Sequence, residues 1–242
     1  MRRRICVVCL LVALPTVSWG APKTGTKTEG PDPGAPTNFK FFRFADWPLP
    51  GWQMVRDQRS GYAGQFVKND GGMVNYIAPG TERMDPGATN AGVGAATAVV
   101  ADLRVADFTA IAHLSFERHG TPSVLLRVLL RQPPLGSTNE APVLSSMLCL
   151  VLNVSGVVLW AFDSTQWTKL AESKSRLDAQ KFYTLKAVLV GPKVTVFLEN
   201  KQVCEATNVA IRAPGTVGIW ATDGPCSFRS LSVRYAKNTT TQ

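Results

Sequence analysis

The chain has 242 residues, 45% hydrophobic and 18% charged, with 20 Gly and 16 Pro; that balance excludes a collagen, a coiled coil and a mostly disordered polymer. The formal net charge is +9 and the pI near 9.6, but no dense basic run is interleaved with aromatics. The charge therefore points away from nucleic acid and towards weak attraction to acidic polysaccharide or another anionic surface. Mean hydropathy is only +0.03, and no apolar run reaches the roughly 18 residues that a membrane-spanning helix needs, so an integral membrane protein is not expected.

Residues 1–20 have the three parts of a secretory signal. Arg2, Arg3 and Arg4 supply positive charge, an apolar stretch follows from Ile5 to Leu14, and Ser18-Trp19-Gly20 places small residues at a cleavage site. Cleavage near Gly20 predicts a secreted, periplasmic or extracellular product. Residues 21–37 are rich in Pro, Gly, Thr and Lys without apolar periodicity, which reads as a flexible linker. The expected domain covers 38–236, and 237–242 form a polar tail.

Within the domain, short apolar runs recur between turn signals. Strands are predicted at 40–44, 52–55, 65–67, 73–77, 98–103, 108–116, 123–131, 146–153, 157–162, 167–171, 182–190, 193–199, 202–205, 216–221 and 227–235. Phe108, Ala110, Ala112, Leu114 and Phe116 alternate with Thr109, Ile111, His113 and Ser115, the two-residue period of a half-buried antiparallel strand. Asn200-Lys201 between two runs marks a hairpin turn. The best candidate for a helical turn is 173–180. Many short strands at regular spacing predict an all-β fold of two packed antiparallel sheets.

Catalytic and metal motifs are missing. There is no G-x-x-x-x-G-K-[ST], G-x-S-x-G or H-E-x-x-H. The two histidines, His113 and His119, fall on a strand and in a charged loop. An exported β protein is often a glycosidase, whose retaining form holds two carboxyl groups about 5 Å apart. An E-x-D-x-E strand would supply them, but none occurs; Glu82 and Asp85 lie in a Gly/Pro loop, and Glu199 and Glu205 flank a hairpin turn.

The order of motifs resembles the concanavalin A-like lectin/glucanase superfamily, which includes laminin-G-like modules and the domain family named 3-keto-disaccharide hydrolase. Pro50-Gly51-Trp52-Gln53-Met54-Val55 is similar to its opening G-W and strand. Asn69-Asp70-Gly71-Gly72-Met73-Val74 is similar to x-D-G-x-L, and Asp107-Phe108-Thr109 to F-x-D-F-x-L. Ser123-Val124-Leu125-Leu126-Arg127 is similar to G-V-x-F-R, Gly215-Thr216-Val217-Gly218-Ile219-Trp220 to G-x-I-G-L, and 227–233 to the closing x-F-D-N-V-x-V. The hairpin from Tyr183 to Leu198 also fits, with Asn200-Lys201 where relatives have Asp-Gly. The resemblance implies a two-sheet antiparallel jelly-roll sandwich. It disfavours a structural calcium, because Arg229 stands where calcium-binding relatives carry Asp; neither another metal nor a cofactor is expected. Laminin-G-like modules often bridge the C-terminal region, which implies a Cys204–Cys226 disulfide, worth about 3 kcal/mol in the chain-entropy model. Cys149 is expected to be a buried free thiol.

The leading expectation is a secreted lectin-like module that binds carbohydrate without cleaving it. The alternatives are a glycoside hydrolase of the 3-keto-disaccharide hydrolase type and a laminin-G-like module for an extracellular protein. Arg127 and Arg131, four apart on one strand, are expected to share a sheet face with Leu125 and Leu129, and a guanidinium fork suits carboxylates and hydroxyl pairs. Trp160 and Trp167 offer indole faces for sugar stacking, with Asp163 between them to accept hydroxyl hydrogen bonds; Trp220 is a third indole on a strand. The expected contacts are thus Arg127, Arg131, Trp160, Asp163 and Trp167.

Overall fold

The computed structural model describes residues 37–56, 65–69, 72–76, 95–117, 119–132 and 141–236. The expected signal, almost all of the linker, the tail, and Glu82 and Asp85 lie outside the described residues. The strands are β1 (Thr37–Arg43), β2 (Trp52–Met54), β3 (Gln65–Asn69), β4 (Gly72–Tyr76), β5 (Ala96–Val100), β6 (Phe108–Phe116), β7 (Thr121–Arg131) and β8 (Val143–Asn153). They continue as β9 (Gly156–Phe162), β10 (Trp167–Lys174), β11 (Tyr183–Val190), β12 (Lys193–Leu198), β13 (Lys201–Ala206), β14 (Thr216–Thr222) and β15 (Cys226–Ala236). Each predicted strand has its counterpart. The first begins at Thr37, inside the expected linker, because β1 pairs with β15 along its whole length. The segment 173–180 is not helical: β10 runs on to Lys174 and an extended stretch and a turn follow.

All of these strands pair antiparallel. One sheet has the order β13-β12-β11-β6-β15-β4-β3, with β1 also on β15; the other has the order β10-β9-β8-β7-β14-β5-β2. Alternation turns one face of each sheet inward. Phe108, Ala110, Ala112, Leu114 and Phe116 of β6 and Leu185, Ala187 and Leu189 of β11 meet Val124 and Leu126 of β7, Leu148, Leu150 and Leu152 of β8, and Val217, Ile219 and Ala221 of β14. Full burial of each large aliphatic or Phe side chain contributes about 1.5–3 kcal/mol. In β15 a register shift between Phe228 and Ser230 changes the parity, so that Phe228, Leu231 and Val233 all point inward.

A second register change, in β7, sets the relation between the sheets. Arg127 has φ 48, a left-handed conformation that costs a non-glycine residue on the order of 1–2 kcal/mol. The extra residue of this bulge sends Arg127 inward, where it is 0% exposed. Its Nε donates to Ala106 O at 2.7 Å, Nη1 to Ile211 O at 2.9 Å, and Nη2 to Gly191 O at 2.8 Å and to Asp107 Oδ1 at 3.2 Å. Asp107 Oδ1 also accepts from Gly191 N at 2.9 Å. One side chain thus ties a strand of one sheet to the segment entering β6, the β11–β12 turn and the segment before β14. Burial pulls the guanidinium pKa down and Asp107 acts against that shift. Gly215 is required here, because a Cβ would overlap the Arg127 backbone.

Two expectations are corrected. Arg127 is no surface contact, and the bulge breaks its alternation with Leu125: Leu125 and Val128 lie in one outer-face cluster with Leu130 packed on it, while Val124 and Leu126 point inward. Cys204 and Cys226 are not bridged to each other. They sit on β13 and β15, four strand steps apart in the same sheet, or about 19 Å at the usual spacing, far beyond the span of about 7 Å that a disulfide bridges. Cys149 is buried and free, as expected.

Replacing Arg127 by Met should destabilise the protein by about 3 kcal/mol or more, since carbonyls and Asp107 lose a charged donor. That corresponds to a melting midpoint lower by about 6–12 °C, and an unchanged melting curve would refute the locking role. Alkylation in denaturant without reductant should label Cys149, Cys204 and Cys226 alike; recovery of a peptide cross-linked between Cys204 and Cys226 would contradict this arrangement.

Candidate functional site

The strands of the seven-stranded sheet carry large apolar residues on both faces. On the outward face, register sets two rows across the strands. One runs Thr97, Trp220, Ser123, Val151, Val158, Glu172; the other runs Gln53, Val99, Gly218, Leu125, Cys149, Trp160, Lys169. Beyond them stand Met147, Phe162 and Trp167.

This face is rolled inward. β10 and β14 are separated by three strands, a span of about 19 Å on a flat sheet. Yet the rings of Trp167 and Trp220 stack with centroids 5.6 Å apart and planes 12° apart. Trp167 also packs on Phe162 at 5.0 Å. At the other margin, Arg56 beyond β2 reaches the start of β8, its N–H donating to Pro142 O at 2.9 Å and its carbonyl accepting from Leu144 N at 3.3 Å. The roll encloses a second apolar cluster of Val55, Val99, Leu125, Val128, Leu144, Met147, Cys149 and Phe162. The floor of the trough is therefore sealed, and the half-buried indoles of Trp160, Trp167 and Trp220 form its accessible lining. Trp220 Nε1 is buried with no hydrogen-bond partner among the described residues.

The structure brings Trp160, Trp167 and Trp220 together on this face. The signal for Trp220 was present: Val217, Ile219 and Ala221 are the inward residues of β14, which leaves Trp220 outward. Asp163 is exposed, but its Oδ1 is occupied by the β9–β10 turn, accepting from Thr165 N at 3.2 Å, Thr165 Oγ1 at 2.9 Å and Gln166 N at 3.0 Å. These bonds, that from the Gln166 amide foremost, hold its carboxyl below the usual range. Asp163 thus shapes the turn that presents Trp167. Arg131 is exposed at the end of β7, one residue past Leu130, whose side chain packs on the second cluster; alternation turns Arg131 away from the tryptophans.

Acid–base chemistry has little to work with here. The sequences of β5, β7, β8, β9 and β14 hold no Asp or Glu. Glu172, on the edge strand, is engaged by Lys169 at 2.8 Å and lies 3.8 Å from Lys174. Burial pushes the Cys149 thiol up to about 12, which removes it as a nucleophile. No group of three His, Cys, Asp or Glu among the described residues is placed to hold a metal ion. Arg229, in the motif position that bears on calcium, stacks its guanidinium on Phe182 at 3.6 Å. Among the described residues no helix is long and apolar enough to cross a membrane.

No protein-family model and no curated protein matches the sequence. Solved structures do match the fold. The carbohydrate-binding module CBM66 from Bacillus subtilis aligns at 18% identity over 75% of this chain and 94% of that one, with a TM-score of 0.54. The Bacillus licheniformis beta-glucanase aligns at 11% over 88% and 100%, with a TM-score of 0.53. A prokaryotic beta-1,3-1,4-glucanase (lichenase) from a mouse hindgut metagenome aligns at 10% over 81% and 98%, again at 0.53. What this chain shares with them is the architecture, a jelly-roll-like sandwich of two antiparallel sheets.

Proposed function

We propose that the protein binds carbohydrate without cleaving it, through the rolled outer face of the seven-stranded sheet. The observation that carries this reading is the gathering of Trp160, Trp167 and Trp220 from three strands onto one face. Sugar rings stack their C–H faces on indoles. The carbohydrate-binding module among the structural neighbours supports the same reading.

Hydrolysis is the second reading, because glucanases share the architecture. It is disfavoured by the five central strands, which supply neither of the two carboxyl groups that glycoside cleavage requires. The order of motifs that resembles laminin-G-like modules and the 3-keto-disaccharide hydrolase family is compatible with either reading. Residues 1–20 favour action outside the cytoplasm.

In a glycan-array screen the protein should retain an oligosaccharide, and Trp160→Ala and Trp167→Ala should each weaken that binding at least about tenfold, in line with the loss of a buried aromatic contact, in protein still folded at the assay temperature; Trp167→Ala should also melt earlier, because it loses its packing on Phe162 and Trp220. The bound glycan should be recovered uncleaved. Release of new reducing ends would favour the hydrolase, and full binding by both variants would remove the tryptophan face from the site.

A further inference from the structure

The opposite side of the molecule has a different chemistry. On the outward face of the eight-stranded sheet, register aligns Phe39, Arg234, Thr109, Val188 and Thr195 in one row, and Phe41, Ser232, Ile111, Lys186 and Phe197 in the next. These rows frame a pocket of about 330 Å³. Its floor is apolar, from Ile111, Val188 and Phe197, and its polar lining is two cations and three hydroxyls: Lys186, Arg234, Thr109, Thr195 and Ser232. No carboxylate lines it. Neither Lys186 nor Arg234 has an ion-pair partner among the described residues. Glu205, next to Thr195 across the ladder, is taken by Lys193 at 2.9 Å. The Lys186 ammonium lies 4.2 Å from the centroid of the Phe197 ring, a contact that holds a cation over an apolar surface without neutralising it.

The rim adds a stacking platform. Phe39 and Phe41 are 58% and 57% exposed, and their rings lie parallel within 14° with centroids 6.5 Å apart. Two uncompensated cations, hydroxyl partners between them and an aromatic rim together make a surface for a chain that alternates anionic groups, hydroxyls and apolar ring faces. We propose that this groove is a second binding site, separate from the tryptophan face, and that its ligand is a uronate-bearing polysaccharide, with a carboxylate held between Arg234 and Lys186. The guanidinium fork matches a planar carboxylate. Two cations set among hydroxyls suit one carboxylate per sugar, where a densely sulfated chain or a lipid surface would call for a basic cluster. The site stands whether or not the tryptophan face binds glycan, since the two share no residue.

The test is titration of the full chain with polygalacturonate and with the same polymer fully methyl-esterified. Binding should appear with the acid form, fall at least about tenfold with the ester, and weaken as salt rises through the physiological range. Lys186→Gln and Arg234→Gln, both at the surface, should each reduce it about tenfold with unchanged melting curves, and Trp160→Ala should leave it intact. Equal binding of acid and ester, wild-type binding by both Gln variants, or loss of binding in Trp160→Ala would each overturn the proposal. So would no binding to polygalacturonate, or binding instead to heparin or to phosphatidylserine vesicles. Failure here leaves the tryptophan face untouched, and failure of Trp160→Ala in the array leaves this groove untouched.

Discussion

The buried guanidinium of Arg127 is the constraint on which the sandwich depends. A charge taken wholly out of water is costly unless every donor is met, and here Nε, Nη1 and Nη2 all find oxygens. Those oxygens belong to three separate connections. The guanidinium therefore fixes where the chain enters β6, where β11 turns into β12 and where β14 begins. The carboxylate of Asp107, half exposed beside it, adds charge compensation and holds the Gly191 amide at the same time. The left-handed backbone at Arg127 is the local cost of placing this side chain inside, and the hydrogen bonds offset it.

The same bulge has a consequence on the other side of the sheet. By resetting the parity of β7 it turns Val128 and Leu130 outward, beside Leu125, and so lengthens the apolar strip on the outer face. A sheet with apolar residues on both faces must cover the second one. It does so by rolling, with Trp167 of β10 reaching Trp220 of β14 and Arg56 reaching the start of β8. The tryptophan face is thus a product of packing: indoles close the roll, and their outer surfaces stay partly exposed. Asp163, expected as a sugar contact, has its Oδ1 engaged in the turn that precedes Trp167.

The two sheets have divided their chemistry. The rolled face of the seven-stranded sheet is aromatic and free of charge along its central strands. The outer face of the eight-stranded sheet alternates hydroxyls, aliphatics, Lys186 and Arg234, with Phe39 and Phe41 at its margin. Alternation makes this division possible: in β6, Phe108 to Phe116 supply the core at odd steps, while Thr109, Ile111 and His113 face outward and are free to vary in kind.

Much of the fold was legible in the sequence, because burial on one face of a strand imposes a period of two, and turns interrupt it with Gly, Pro, Asn and Asp. Fifteen strands, two antiparallel sheets and the inward set of β6 follow from that local rule. Trp160 and Trp167 were legible as indoles on or beside strands, though not their facing. The tertiary structure decided the rest. A bulge is a single extra residue without a composition of its own, and only the packing of Gly215 against β7 and the three waiting carbonyls show that Arg127 turns inward. Strand order decided that Cys204 and Cys226 stay apart, since residues near in sequence on successive hairpins lie four strands away across a sheet. Curvature decided that Trp167 meets Trp220, a contact between distant strands that no local pattern encodes.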